Sequence, residues 1–291
     1  MYAVKKEKGT AYCWINVIVV CITALFFVLN YRSVNRLFEK GNVLSILLLL
    51  IAVVIVHIIK AGRLYFALYG NDIGLKSYLE TYCKVTPVSI MVPFKIGEFF
   101  RIYCFGTEIG NFLKGIVIVL LDRFMDTAAL LVVVFGTWAF NGGRINLLTM
   151  VFMLFLVAVV MVYFIFPGFY SFWKKYLLHA DASERKLCVL KLLENLQILY
   201  KEIEQVIKGR GVIMFGISLV AWAVEIGSVL LINYMYSQND GYSVLMEYLM
   251  SAMLNGSSEG LKRFICVSVL LLSIGYLIVR FCIKQTEKRS K

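Results

Sequence analysis

The sequence is poor in charge, proline and histidine. Only 16% of its 291 residues are charged, 60% are hydrophobic, and the chain holds three prolines and two histidines. A soluble domain carries about 25% charged and about 45–50% apolar residues. The composition therefore argues against a soluble enzyme, a disordered chain and a fibrous protein, and it indicates an integral membrane protein.

The cysteines and histidines are too scattered for a metal site or a disulfide framework. The seven cysteines form no C-x-x-C pair and lie apart from both histidines. Such sites require clustered ligands at short spacing. We therefore expect no metal and no cofactor. With no nucleophile constellation either, we expect a protein that is not an enzyme.

Apolar runs long enough to cross a bilayer recur along the chain. A bilayer core of about 30 Å needs about 20 apolar residues in a helix. Six runs meet or approach this length: 11–30, 43–60, 113–138, 145–166, 211–235 and 264–283. The first lacks a small-residue cleavage site and is expected to be a retained span. These runs predict an all-α polytopic membrane protein with about six spanning helices, forming a single domain over 1–291.

The basic residues predict the orientation. With both termini cytoplasmic, 23 of the 30 Lys and Arg residues fall in cytoplasmic segments, six fall in outer loops and Arg123 lies in a span. This bias follows the positive-inside rule. The net charge of +12 is then expected to face anionic lipid rather than nucleic acid, at the cell (cytoplasmic) membrane.

Two stretches do not read as plain spans. Residues 78–103 are interrupted by Pro87 and Pro93, and residues 242–260 end in a Gly- and Ser-rich turn. Interrupted backbone is tolerated at membrane depth only where protein or a watery cavity satisfies its polar groups. Both are candidates for broken or re-entrant helices, and ordinary interfacial loops are the alternative.

The connector over 169–210 is predicted to contain a cytoplasmic amphipathic helix. Apolar residues recur every three to four positions between residues 187 and 206, with charged residues between them. Such a helix either lies on the inner leaflet or docks a cytoplasmic partner.

Charged residues within the predicted spans are the first candidate site. Asp122, Arg123 and Asp126 share one span, and Glu225 lies in a later one. Each such charge costs about 2.5–3.5 kcal/mol on insertion scales, which makes it a functional candidate. The spacing allows Arg123 to pair with its neighbouring acids on one helical face. These four residues leave a net charge of −2 within the membrane.

A second candidate site follows Pro93. Lys95, Glu98 and Arg101 are spaced by three residues, so a helix beginning after the proline presents all three on one side. Two cations with one acid to orient them suit a phosphate, because guanidinium matches phosphate oxygens in a bidentate way. A ladder of interfacial charges is the alternative interpretation.

These residues resemble a known family. Arg63 ends an early apolar run, 93–101 reads Pro-x-x-x-Gly-Glu-x-x-Arg, and 122–126 reads Asp-Arg-x-x-Asp. In this order the chain resembles the transmembrane region of lysylphosphatidylglycerol synthase, a flippase-like integral membrane family. The Trp-x-x-Glu stretch at 222–225 fits a later family feature. Asp122 stands where the family usually has glutamate.

The resemblance implies a flippase-like membrane translocator for the headgroup of an anionic or aminoacylated lipid, or of a polyprenyl-linked glycolipid. It implies that Lys95 and Arg101 receive the phosphate and that Glu225 binds an ammonium or a proton. The residues expected to bind or translocate the headgroup are Arg63, Lys95, Glu98, Arg101, Asp122, Arg123, Asp126 and Glu225.

Membrane phospholipid or a lipid-linked glycan is therefore the expected partner, with a lipid-modifying synthase as a further one. We expect the lipid-handling membrane half alone, because the sequence holds no soluble aminoacyl-transfer domain. The alternative is an integral-membrane transferase acting on a lipid carrier, with Asp122 or Glu98 as the base. A scaffold that holds a synthase through the amphipathic connector is a third possibility.

Overall fold

The fold is built from helices. The computed structural model describes residues 17, 19–28, 31, 43–70, 73–92, 96–141, 147–179, 184–236, 241–254 and 258–289. Its regular elements there are α1 (Val19–Val28), α2 (Val43–Leu68), α3 (Leu75–Met91), α4 (Ile96–Ile109), α5 (Phe112–Asn141), α6 (Leu147–His179), α7 (Glu184–Ile207), α8 (Gly211–Tyr236), α9 (Gly241–Leu254) and α10 (Glu259–Arg289). The prediction of an all-α polytopic membrane protein is confirmed.

Four of these helices contain segments that are long and apolar enough to cross a membrane. The segments are Val43–Leu68, Thr149–His179, Gly211–Tyr234 and Gly260–Ile283. The predicted span at 113–138 lies within the continuous helix α5, which carries charged residues at its middle. Of the predicted span at 11–30, residue 17 and residues 19–28 are described, and they include the apolar helix α1; the remaining residues of the span lie outside the described part of the chain. The number of spans therefore stays a prediction.

Helices α2, α5 and α8 form the centre of the bundle. The contact between α2 and α8 is the most extensive in the fold, and α5 packs against both. Buried apolar side chains fill the spaces between them, with Ile118 and Met214 in one cluster and Ala129 and Trp222 in another. Because the charged residues of α2, α5 and α8 project into this centre, the packing brings them together.

The predicted broken stretch at 78–103 is a pair of packed helices. α3 and α4 contact each other, α3 also packs along α10, and α4 packs along α5. A Cβ at Gly97 would lie only 2.5 Å from the Cα of Ser89. Glycine at this position therefore allows the two arms of the hairpin to touch. Its re-entry into a membrane stays a prediction.

The turn from α4 to α5 depends on local backbone chemistry. Gly110 adopts a φ of 72°, a left-handed conformation that glycine reaches without strain. The Asn111 side chain then accepts a hydrogen bond from the Lys114 amide at 3.2 Å and caps the new helix. This tight turn sets α5 directly against the α3–α4 hairpin.

The second broken stretch, 242–260, contains α9 and the beginning of α10. The 14 residues of α9 are about 21 Å long at 1.5 Å per residue. This length is less than the roughly 30 Å of a bilayer core. α9 packs against α5, α8 and α10, so it is a short helix held by protein.

Helices α6 and α7 lie at the edge of the bundle. Only 6% of the most apolar window of α6 is buried within the chain, which is typical of a face turned to lipid. The predicted amphipathic helix is α7, and it packs on α5 and α6. Of its apolar stripe, Leu193 and Val206 are buried while Leu187 and Leu196 are exposed. Part of the stripe thus packs on the bundle itself.

Candidate charged headgroup site

The candidate site begins with a chain of alternating charges that links α2 and α5 to the α3–α4 hairpin. Its members, in order of contact, are Asp126, Arg63, Asp122, Arg101, Glu98 and Arg123. The closest nitrogen–oxygen distances along it are 2.9, 2.7, 3.0, 3.9 and 3.1 Å. Opposite charges alternate throughout, so every charged member has a neutralising neighbour.

Arg63 is the fixed centre of this chain. Its guanidinium donates to Asp122 at 2.8 Å, to Asp126 at 2.9 Å and to the hydroxyl of Ser218 at 2.6 Å. Ser218 donates onward to the carbonyl of Met214 at 2.9 Å. The Arg63 side chain is 2% exposed, and its partners lie on α5 and α8. It therefore ties α2 to the two other central helices.

Asp122 is shared between two arginines. One carboxylate oxygen accepts from Arg63, and the other accepts from Arg101 at 3.0 Å. Both arginine side chains and the aspartate are 2% exposed. A buried carboxylate that accepts two guanidinium hydrogen bonds is well compensated. Arg101 is thereby left with spare donors, since its Nε and Nη1 make no hydrogen bond within the described residues.

Arg123 pairs across the bundle and not along its own helix. Its Nε lies 3.1 Å from Glu98, whose carboxylate also accepts from the Ser89 hydroxyl. The predicted pairing of Arg123 with Asp122 and Asp126 is therefore wrong. Residues 122 and 126 share the face turned to α2, whereas residue 123 is turned by about 100° towards α4.

Glu225 belongs to a second pair beside the chain. One of its oxygens accepts from Lys60 at 3.0 Å, and the other accepts from the Tyr248 hydroxyl at 2.6 Å. Both carboxylate oxygens of Glu225 are thus occupied by side chains of the protein itself. Lys60 turns inward, because the buried carboxylate of Glu225 lies within its reach.

Two adjoining cavities lie among these charges and share part of their lining. An inner cavity of about 150 Å³ is lined by Arg63, Arg101 and Asp122, and an outer one of about 560 Å³ is lined by Glu98 and mainly apolar residues. The residues that line both are Lys60, Ile90, Arg123, Asp126, Glu225, Leu261 and Ile265. The polar chamber therefore lies directly beside an apolar-walled space.

The formal charges lining the two cavities balance. The cations are Lys60, Arg63, Arg101 and Arg123, and the acids are Glu98, Asp122, Asp126 and Glu225. The predicted net charge of −2 counted only Asp122, Arg123, Asp126 and Glu225, whereas the lining of the two cavities sums to zero. The difference arises because α2 and the α3–α4 hairpin contribute three cations and one acid that were assigned to loops and span ends.

Seven of the eight predicted site residues thus line the same pair of cavities. The eighth, Lys95, lies outside the described residues. Sequence reasoning missed Lys60, Ser218 and Tyr248 as members of the network. A signal existed for Ser218, because it precedes Trp222 by four residues and Glu225 by seven, which places all three on one helical face. Tyr248 carries no comparable signal.

The inner cavity also has polar atoms without partners. Within the described residues, Nε2 of His57 and the hydroxyls of Thr86 and Ser268 make no hydrogen bond, and all three residues line this cavity. His57 Nδ1 contacts the Tyr82 hydroxyl at 3.4 Å. No cluster of three or more potential metal ligands occurs in the described part of the chain. The arrangement is suited to binding a polar organic group.

Comparison with known proteins identifies one family over most of the chain. A family model described as the lysylphosphatidylglycerol synthase TM region matches residues 13–258. This range includes every residue of the charged chain and both Lys60 and Glu225. Searches of curated proteins and of solved structures give no significant match.

Proposed function

Because the chain belongs to the lysylphosphatidylglycerol synthase TM-region family, and is thus an integral, multi-pass membrane protein related to lipid handling, we propose that it is a flippase-like translocator of lipid headgroups. The substrate is an anionic or aminoacylated phospholipid, or a polyprenyl-linked glycolipid, of the cell membrane. The protein moves the headgroup without chemical change, with both of its own termini on the cytoplasmic side. A lipid-modifying synthase supplies or uses the lipid.

The observation that supports this proposal most directly is that Arg101 has hydrogen-bond donors without a partner. Its side chain is 2% exposed, it lines the inner cavity, and two of its three nitrogens lack a hydrogen-bond partner among the described residues. A buried donor left unpaired costs about 1–3 kcal/mol. A phosphate oxygen in the cavity would satisfy these donors, and Arg123 faces the same space.

The second support is the joined polar and apolar space. A phospholipid has a charged headgroup and apolar chains, so a site for it must offer both environments side by side. The inner cavity supplies the charged groups, while Phe99, Leu120 and Phe152 line the outer cavity. The headgroup thus occupies the inner chamber while an acyl or prenyl chain lies along the outer wall.

A leaflet-resolved assay in proteoliposomes tests the proposal. Fluorescent lipids with different headgroups are followed by chemical quenching of the outer leaflet, comparing the natural chain with Arg101→Ala, Arg123→Ala and Asp126→Asn. We expect at least a tenfold loss of rate in Arg101→Ala, since a charge-assisted hydrogen bond contributes about 1.5–3 kcal/mol. Lys174→Gln, at an exposed ion pair with Glu194, is the matched control.

The same assay separates the alternatives. Rates like those of the natural chain in Arg101→Ala and Arg123→Ala, in samples that remain monodisperse, contradict a translocator that works through this site. Recovery of lipid with altered mass supports the transferase acting on a lipid carrier instead. Loss of translocation with lipid of unchanged mass supports the proposal.

A further inference from the structure

The ammonium of Lys60 lies in the candidate site, between the carboxylate of Glu225 and the ring of Trp222. These two groups are called the cation cage below. Its Nζ lies 3.0 Å from a Glu225 carboxylate oxygen and 5.3 Å from the centroid of the Trp222 ring. A carboxylate beside an aromatic face is a recognised environment for ammonium groups. The ammonium of Lys60 thus occupies a place that fits any primary ammonium.

The cage is held in shape by groups other than Lys60. Tyr248 donates to the second oxygen of Glu225 at 2.6 Å, and the indole of Trp222 donates to the backbone carbonyl of Asp126 at 3.2 Å. Trp222, Glu225 and Tyr248 are all buried. These contacts remain when the Lys60 side chain moves away, so the cage is preformed.

Lys60 is held less firmly than its neighbour Arg63. The Arg63 side chain is 2% exposed and donates to three side chains, whereas that of Lys60 is 22% exposed and makes a single side-chain hydrogen bond within the described residues. A lysine ammonium is a point charge on a flexible four-carbon stem. Lys60 also lines both cavities, so its side chain has space to adopt another rotamer.

We propose that Lys60 is a tethered stand-in for a headgroup ammonium: it fills the Trp222–Glu225 cage in the empty protein and is displaced when a phospholipid with its own primary ammonium binds. This inference rests on the proposed function. The displaced lysine ammonium moves into the space that both cavities share, and the incoming ammonium becomes the counter-charge of Glu225. Lys60 thereby determines the preference between headgroups with and without an ammonium.

Charge balance supports the exchange. The lining of the two cavities is formally neutral, and a buried site pays heavily for a charge that lacks a partner. A zwitterionic headgroup adds a phosphate and an ammonium together and keeps the site neutral. An anionic headgroup adds one uncompensated negative charge, and it leaves Lys60 in the cage.

The test measures binding of short-chain lipids to the purified full chain in detergent micelles. The probes are dihexanoyl phosphatidylethanolamine, which carries an ammonium, and dihexanoyl phosphatidylglycerol, which does not. Lys60→Gln removes the internal competitor, and if that competitor fills the cage about nine-tenths of the time, affinity for the ammonium lipid rises about tenfold. Affinity for the glycerol lipid does not rise, and Lys60→Gln with Glu225→Gln loses the ammonium preference.

A chemical-rescue experiment tests the same inference if a Lys60 variant is unstable. Lys60→Ala leaves the cage empty, so added propylammonium restores the melting temperature of this variant but not that of Lys60→Ala with Glu225→Gln. Equal changes in affinity for both lipids in Lys60→Gln, or no rescue by propylammonium, overturn the inference.

The outcome is distinguishable from failure of the translocator proposal, because binding is measured without transport. Lipid movement with an unchanged headgroup preference in Lys60→Gln rejects only the role of Lys60. The expected preference in a chain that moves no lipid rejects only translocation.

Discussion

Replacing Arg63 by methionine removes the charge that compensates the buried carboxylate of Asp122 and the partly buried one of Asp126. Asp122 keeps its hydrogen bond from Arg101 at 3.0 Å, but Asp126 loses the side-chain donor that reaches it at 2.9 Å. Removing one partner of a buried ion pair costs about 3–5 kcal/mol, because it leaves an uncompensated charge. We therefore expect the free energy of unfolding of Arg63→Met to fall by about this amount.

A second substitution tests whether the unpaired charge of Asp126 causes this loss of stability. Asp126→Asn, added to Arg63→Met, makes the orphaned side chain neutral, so the loss shrinks to about 1–3 kcal/mol, the cost of polar groups left unpaired. The doubly changed protein is thus expected to be more stable than the single variant. Few other mechanisms predict that a second substitution in a buried network restores stability.

The measurement is unfolding by sodium dodecyl sulfate in mixed micelles, followed by tryptophan fluorescence. Lys174→Gln is the control, because its ion pair with Glu194 is exposed to solvent and is expected to contribute little to stability. The reasoning fails if Arg63→Met loses no more than this control, or if Asp126→Asn does not restore stability.

Two further predictions concern helix packing and the turn that follows α2. Gly97→Ala places a methyl group 2.5 Å from the Cα of Ser89 and is expected to lower the free energy of unfolding by about 1–3 kcal/mol. Gly136→Ala is the control, because no atom lies within 4 Å of the added methyl group and no loss of stability is expected. Equal effects of the two substitutions in the same detergent titration contradict the close approach at Gly97. The Arg210 guanidinium donates a hydrogen bond to the backbone carbonyl of Tyr69 at 2.7 Å. Arg210→Ala is therefore expected to speed amide hydrogen exchange at residues 69–70 about tenfold. Unchanged exchange at these residues argues against the contact.

The helical class and the polar centre could be predicted because both depend on strong local signals. Long apolar runs specify helices, and a charge inside such a run must find a partner in the interior. This is why Asp122, Asp126 and Glu225 could be assigned to a buried site from the sequence alone. Arg63 and the 93–101 segment were found through their order and spacing, which the family shares.

The pairings could not be predicted, because they depend on which helices become neighbours. Arg123 has acids at i−1 and i+3 on its own helix, yet Glu98 on another helix is its partner. Lys60 could extend to a membrane surface or turn inward, and only the position of Glu225 on α8 decides between the two. Tyr248 comes from a short helix whose placement no local pattern fixes.

The balance of four cations and four acids also has an electrical consequence. A membrane potential does work of about 2.3 kcal/mol per 100 mV on each net charge that crosses it. If the eight groups shift together, they displace no net charge, and the potential neither drives nor opposes the movement. A translocation rate that varies steeply with an imposed potential would therefore show that the cluster separates, or that the cargo itself carries a net charge across.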